Sequence, residues 1–284
     1  MLSDWLKTLP LYPLPHHFIS RGVLWLTRRE SRFTHAAIKL FAKRFSVDMA
    51  DASEPSLSAY KSFNAFFTRE LKPEARPIAN RAGEIASPAD GRISAIGSIE
   101  NGSLFQAKQH EYSLSQLLGN DSEATQRLAN GKFATVYLSP RDYHRLHMPL
   151  TGTLKRQLHV PGRLFSVGPH TVRTVPNLFA RNERVVTLFE TEAGLMALVL
   201  VGAINVAAIE TVWHGLVTPP KGKAISHIDY SNEDAISFER GAEMGRFNMG
   251  STIIVLLEHS AVWRVDMQAN DPVRMGQFLG TVQQ

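Results

Sequence analysis

From about residue 84 to its end, the chain is written in short Val/Ile/Leu/Thr runs separated by Gly and Pro turns. The runs include 92–96, 133–138, 152–160, 185–190, 195–201, 204–212, 252–257, 262–267 and 278–282. Runs of this length and composition read as strands. Their density predicts a mostly antiparallel β body. Residues 113–130 are expected to interrupt it with helix, since Leu114, Leu117, Leu118 and Leu128 fit one helix face. The first 60 residues follow another rule. Residues 17–46 read as helical, with Phe33, Ala37, Leu40 and Phe41 at helical spacing and Arg32, Lys39 and Lys43 off that stripe. Residues 62–71 (SFNAFFTREL) read as a further short helix, and Pro73 and Pro77 mark a boundary. The expectation is an α+β fold: a basic, aromatic helical region over 1–60 and a β-rich body over 61–284.

The charge is concentrated at the helical end. Residues 1–50 hold eight Lys/Arg and three acids, whereas the other 234 residues hold 23 of each sign. The whole net charge of +5 therefore lies in the first sixth of the chain. Trp5, Phe18, Trp25, Phe33, Phe41 and Phe45 are interleaved with those bases. Such a mixture suits an anionic membrane surface or a nucleic acid. No nucleic-acid motif is present, so the membrane is favoured over a helical hairpin with a solvated basic face. No run is long enough to span a bilayer: the most apolar, 194–209, has 16 residues with Asn205 inside it. The start does not read as a secretory signal, because Asp4 and Lys7 precede Pro10, Pro13 and Pro15. The chain is expected to lie on the cytoplasmic face of the cell membrane as a peripheral protein. It has no cysteine, which removes disulfides, thiolate catalysis and Cys-ligated metal.

Four stretches concentrate reactive side chains. Ser87-Pro88-Ala89-Asp90-Gly91 is by itself a hairpin-turn signal. Residues 139–149 (SPRDYHRLHMP) follow an apolar strand and carry His144 and His147, which as residue types are surface, core, metal-binding or acid/base groups alike. Residues 175–184 (VPNLFARNER) form a polar loop with apolar anchors. Residues 243–252 (EMGRFNMGST) run into a strand, and Gly-Ser-Thr there is by itself a turn.

Taken together with SFNAFFTREL, RPI, VPGRLFSV and IETVW, these stretches resemble the phosphatidylserine decarboxylase family of pyruvoyl-dependent enzymes. The resemblance runs over nearly the whole chain. It implies a proenzyme that cleaves itself between Gly250 and Ser251 into a large chain, 1–250, and a small chain, 251–284. It implies that Ser251 becomes the pyruvoyl cofactor and forms a Schiff base with the substrate, phosphatidylserine. It places a self-cleavage triad on Asp90, His147 and Ser251. Met249 stands where the family most often has Leu, an apolar swap that leaves the Gly-Ser pair intact.

The residue chemistry agrees with this. A serine hydroxyl attacks its own preceding carbonyl only when a base takes its proton, and Gly250 leaves that carbonyl uncrowded. Removing CO2 from an α-amino acid leaves an electron pair that no ordinary side chain delocalises, whereas a ketone-derived imine does. His144 is the candidate proton donor at the carbon left by CO2. The expected partners are phosphatidylserine, an anionic membrane surface and the two chains for each other, with room for a homo-oligomer of the processed pair and no nucleic acid. Two rival readings are weaker. A zinc hydrolase built on His144 and His147 lacks a general-base Glu between them. A lipoyl-type carrier lacks a Met-Lys hairpin.

Overall fold

The strand Thr252–Leu257 lies at the centre of the largest sheet in a computed structural model that describes residues 2–107, 110–204, 208–219, 224–230, 234–249 and 251–283. All six of its residues are buried. It pairs antiparallel with Lys132–Tyr137 on one side and Gly194–Val201 on the other, with Thr252 opposite both Tyr137 and Val201. An unbroken apolar run is what a strand covered on both faces requires. Among the described residues nine strands make up this sheet. Its order is Ser226–Asp229, Gly152–Val160, Arg184–Thr191, Gly194–Val201, Thr252–Leu257, Lys132–Tyr137, Gly91–Ser98 and Pro272–Val273, with Ile236–Phe238 also pairing on Gly152–Val160.

A four-stranded sheet runs Gly215–Leu216, Ile209–Thr211, Glu243–Phe247, Arg145–His147. A three-stranded sheet runs Glu84–Ala86, Phe278–Val282, Ala261–Trp263. The ladders of all three sheets are antiparallel. The chain is therefore α+β with a mostly antiparallel body, as its strand spacing predicts.

The helices are more divided than the periodicity suggests. The N-terminal region forms α1 (Leu2–Thr8), α2 (His16–Arg28) and α3 (Thr34–Phe45). Residues 62–71 contribute only α4 (Phe63–Phe67), whose first turn is capped by Ser62 Oγ accepting from Ala65 N at 3.1 Å. Residues 113–130 break into Leu114–Leu117 and Ser122–Leu128, capped by Ser113 and Asp121. The run expected over 204–212 is a strand only at Ile209–Thr211, and 205–207 lie outside the described residues.

Of the apolar stripe of α3, Phe41 packs on the protein and the rest faces away from it. Phe33 is 65% and Leu40 71% exposed, while Thr34, Ile38 and Ala42 are buried. Ile38 and Ala42 join Tyr60 and Phe66 in a small core of their own. Thr8 Oγ1 to Thr174 Oγ1 (2.8 Å), Asp4 to Arg173 (two bonds of 3.0 Å) and Arg28 to Glu210 tie the helical layer to the β body.

Candidate active site

Ser251 is the residue immediately before the central strand. It is fully buried, its carbonyl accepts from Leu138 N at 2.9 Å, and its Oγ has no hydrogen-bond partner. A buried hydroxyl without a partner forfeits about 1–3 kcal/mol, so the site trades stability for an available nucleophile. The residues leading to it are pinned too. Phe247 N donates to His144 O at 3.0 Å, and Asn248 N donates to Ala208 O at 2.9 Å. The segment from Leu138 to His144 thus holds both Phe247 and Ser251. Gly250 itself lies outside the described residues.

His144 and His147 are three apart in extended chain, which directs them to opposite faces. Their surroundings differ accordingly. His147 Nδ1 lies 2.8 Å from Gly241 O and its Nε2 lies 2.9 Å from Tyr143 Oη. A carbonyl only accepts, so Nδ1 carries the proton and Nε2 accepts from the tyrosine. Burial holds the His147 imidazole below its ordinary pKa, against the opposing pull of Gly241 O, Glu243 and Asp90. His144 is completely buried, with its ring 4.1 Å from that of Phe67. Its Nδ1–H donates to Asp142 O at 2.8 Å, and its Nε2 has no partner. Burial, reinforced by the Arg69 charge, pushes its pKa down to about 3. In this state His144 is an acceptor at Nε2 and becomes a donor there only after taking up a proton.

Asp90 is not at a hairpin turn. The strands on either side of it, Glu84–Ala86 and Gly91–Ser98, belong to different sheets. The local Asp-Gly signal is real, but the chain changes sheet there instead of folding back. Gly91 is needed because a Cβ would stand 2.3 Å from Tyr137 O. Pro88 O accepts from His147 N at 2.9 Å, which sets the loop beside the histidine strand. The Asp90 carboxylate binds Arg76 through Nε (2.9 Å) and Nη2 (2.6 Å), and accepts from Met275 N at 2.8 Å. Arg76 also reaches Asp51 at 2.7 Å.

His147 is bonded to the loop before Asp90 and Ser251 is held against Leu138, but no side-chain hydrogen bond joins Asp90, His147 and Ser251. Asp90 acts on His147 through its charge. Among the described residues no cluster of three or more His, Cys, Asp or Glu side chains could hold a metal ion.

Four residues in this constellation carry no chemical signal of their own in the sequence: Phe67, Arg69, Arg76 and Tyr143. Tyr143 is the one with a readable clue, since an even spacing of four in extended chain puts it on the face of His147. A cavity of about 270 Å³ opens between the helical layer and the β body, lined by Phe41 and Phe45 of α3, Phe67 of α4, Leu138, Pro140 and Met249 among others.

A family model described as phosphatidylserine decarboxylase matches residues 63–281, and a second, described as PSD, matches 6–46. Among similar proteins, one from Alkalilimnicola ehrlichii is 57% identical over 254 residues, covering 89% of this chain and 88% of the relative. One from Shewanella frigidimarina is 49% identical over 286 residues, covering 99% of both. One from Pseudomonas aeruginosa is 54% identical over 276 residues, covering 96% of both. Each is named phosphatidylserine decarboxylase proenzyme.

Proposed function

The chain belongs to the phosphatidylserine decarboxylase family, and from that membership we infer an enzyme, made as a proenzyme, that converts phosphatidylserine to phosphatidylethanolamine and CO2. We propose that maturation occurs at Ser251. The observation that carries this is a buried Oγ with no partner, at the head of a strand locked on both sides.

Attack of Oγ on the carbonyl of residue 250 turns the amide into an ester. Elimination then releases the carboxylate of Gly250 and leaves a dehydroalanine, which takes up water, loses ammonia and becomes the pyruvoyl group. His147 is the base for the attack. Its tautomer is set by Gly241 O and Tyr143, so that Nε2 is the basic atom. Asp90 supplies negative charge that favours the resulting imidazolium. The pyruvoyl group would offer a carbonyl for the substrate amine and a sink for the electron pair left by CO2.

In the decarboxylation His144 takes a proton at Nε2 and delivers it to the substrate carbon. The Phe41/Phe45/Phe67 cavity receives apolar chain of the lipid and excludes water from that exchange. The helical layer is where the lipid comes from. Of the sixteen exposed large apolar side chains among the described residues, nine lie between Leu2 and Leu40. Arg29 stacks on Trp25 at 4.2 Å and Arg32 on Phe33 at 4.7 Å, pairing base with aromatic at the outer surface. No helix is long and apolar enough to cross a membrane among the described residues. We propose that the protein lies on the cytoplasmic membrane face as a peripheral protein, with residues 1–60 as the contact and 61–284 as the catalytic part.

Ser251→Ala tests the reading. It is expected to remain one chain on a denaturing gel and to release no CO2 from phosphatidylserine. Cleavage of that variant at the same position would overturn the assignment.

A further inference from the structure

The end of α4 and the residues just after it meet the histidine segment at four points. The Phe67 ring, at the end of α4, lies tilted against the His144 ring. Thr68 O accepts from Arg145 Nε at 2.9 Å. Arg69 Nη2 donates to Arg141 O at 3.1 Å. Glu70 pairs with Arg145 at 2.9 Å. Arg69 is the unusual member. It is only 4% exposed, its Nε has no hydrogen-bond partner, and no carboxylate lies within ion-pair distance of it among the described residues. A buried guanidinium without a counter-ion is unfavourable, and the Phe66 ring, 5.6 Å away, offsets only part of that.

Resting on the role given above to His144, we propose that Arg69 is a positioning residue for that histidine: it braces the 141–144 backbone and keeps a fixed positive charge beside the ring, so that the Nε2 lone pair stays open. The brace acts through Arg141 O, next to the Asp142 carbonyl that fixes the ring's tautomer. The charge acts directly, because a second positive charge on the imidazole is disfavoured beside the first. The charged groups around His144 allow this. On its own segment the Asp142 carboxylate is turned onto Ser139 N and Oγ, both at 2.7 Å, and Arg145 is occupied by Glu70 and Glu243. From the α4 side the charge facing the ring is Arg69. The depressed pKa of His144 agrees, with burial as its larger cause and Arg69 as its second.

The test uses Arg69→Met, Arg69→Gln and Arg69→Lys. In full-length Ser251→Ala protein, which needs no pyruvoyl chemistry, 15N-histidine NMR reads the His144 tautomer against pH. The parent is expected to stay neutral with the proton on Nδ1 down to pH 5. Arg69→Met and Arg69→Gln should take up a proton at Nε2 about one pH unit higher than the parent does, and Arg69→Lys should behave as the parent. In the processed enzyme, Arg69→Met should decarboxylate about tenfold slower through loss of the brace, with its pH profile displaced upward along with the imidazole, a smaller loss than the 10²–10⁴ of removing an acid/base group. If Arg69→Met is not recovered folded, Arg69→Gln, which keeps a donor for Arg141 O, reads the charge alone. A neutral variant whose His144 titrates as in the parent, or whose rate keeps the parent's pH profile, would overturn the proposal. A parent protein lacking the pyruvoyl group would instead overturn the function it rests on.

Discussion

At the scale of single residues the proposed chemistry is divided between two imidazoles that differ in what their Nε2 touches. His147→Ala and Asp90→Asn are expected to remain largely uncleaved, since losing a positioned acid/base group slows a step by about 10²- to 10⁴-fold. His144→Ala should cleave and then turn over slowly. A gel and a CO2-release assay on the three variants check this, and a His144→Ala protein that fails to cleave would break the division. Both imidazoles are buried neutral, which gives stability a pH dependence of definite sign. Their folded pKa values lie below the ordinary 6.5, so the unfolded chain binds protons that the folded chain does not. That stability is complete above 6.5 and is lost as pH falls, at about 1.4 kcal/mol per pH unit for each such imidazole until its folded value is reached. The melting temperature of Ser251→Ala protein should therefore fall from pH 7 to 5.5, and less steeply with His144→Gln added. An equal slope in both would contradict it. These residues were readable to different depths. Ser251, His144, His147 and Asp90 stand in contiguous motifs. Arg76 and Arg69 take their meaning from partners 14 and 72 positions away, on loops that only the assembled fold brings together.

Among the elements, α3 shows how far periodicity reaches. The spacing of Phe33, Ala37, Leu40 and Phe41 establishes a helix, but not which face is covered: of the four only Phe41 packs on the small core. Thr34, Ile38 and Ala42 take the covered face because α4 and Tyr60 supply the matching apolar surface there. The open stripe, with the bases around it, is what a membrane would cover. Deleting residues 1–45 should weaken binding to anionic vesicles more than it slows self-cleavage. Each Lys or Arg near such a surface is worth about 1 kcal/mol, so binding should also fall with added salt. Equal vesicle binding by the full and shortened proteins in a sedimentation assay would count against this role. The Asp90–Gly91 turn shows the opposite limit: local chemistry marked a turn, but whether the next strand pairs with the last depends on sheets assembled far away in sequence.

For the whole molecule, cleavage before Ser251 would not release the small chain. Its first strand, Thr252–Leu257, is paired on both edges by strands of the large chain, and Phe278–Val282 pairs with Glu84–Ala86. Met275 N holds the Asp90 carboxylate, and Glu258 is bound by Arg127 at 2.6 Å. A 34-residue piece is too small for a core of its own, so it persists as part of the shared one. The most direct measurement is the mass of the purified protein, taken first under native and then under denaturing conditions. The account predicts one native species that separates on denaturation into chains 1–250 and 251–284. The small chain should be lighter by one ammonia than a fragment beginning with serine, and after phosphatidylserine and cyanoborohydride it should carry the substrate at residue 251. A single intact polypeptide in active enzyme, or substrate trapped on a lysine, would contradict it.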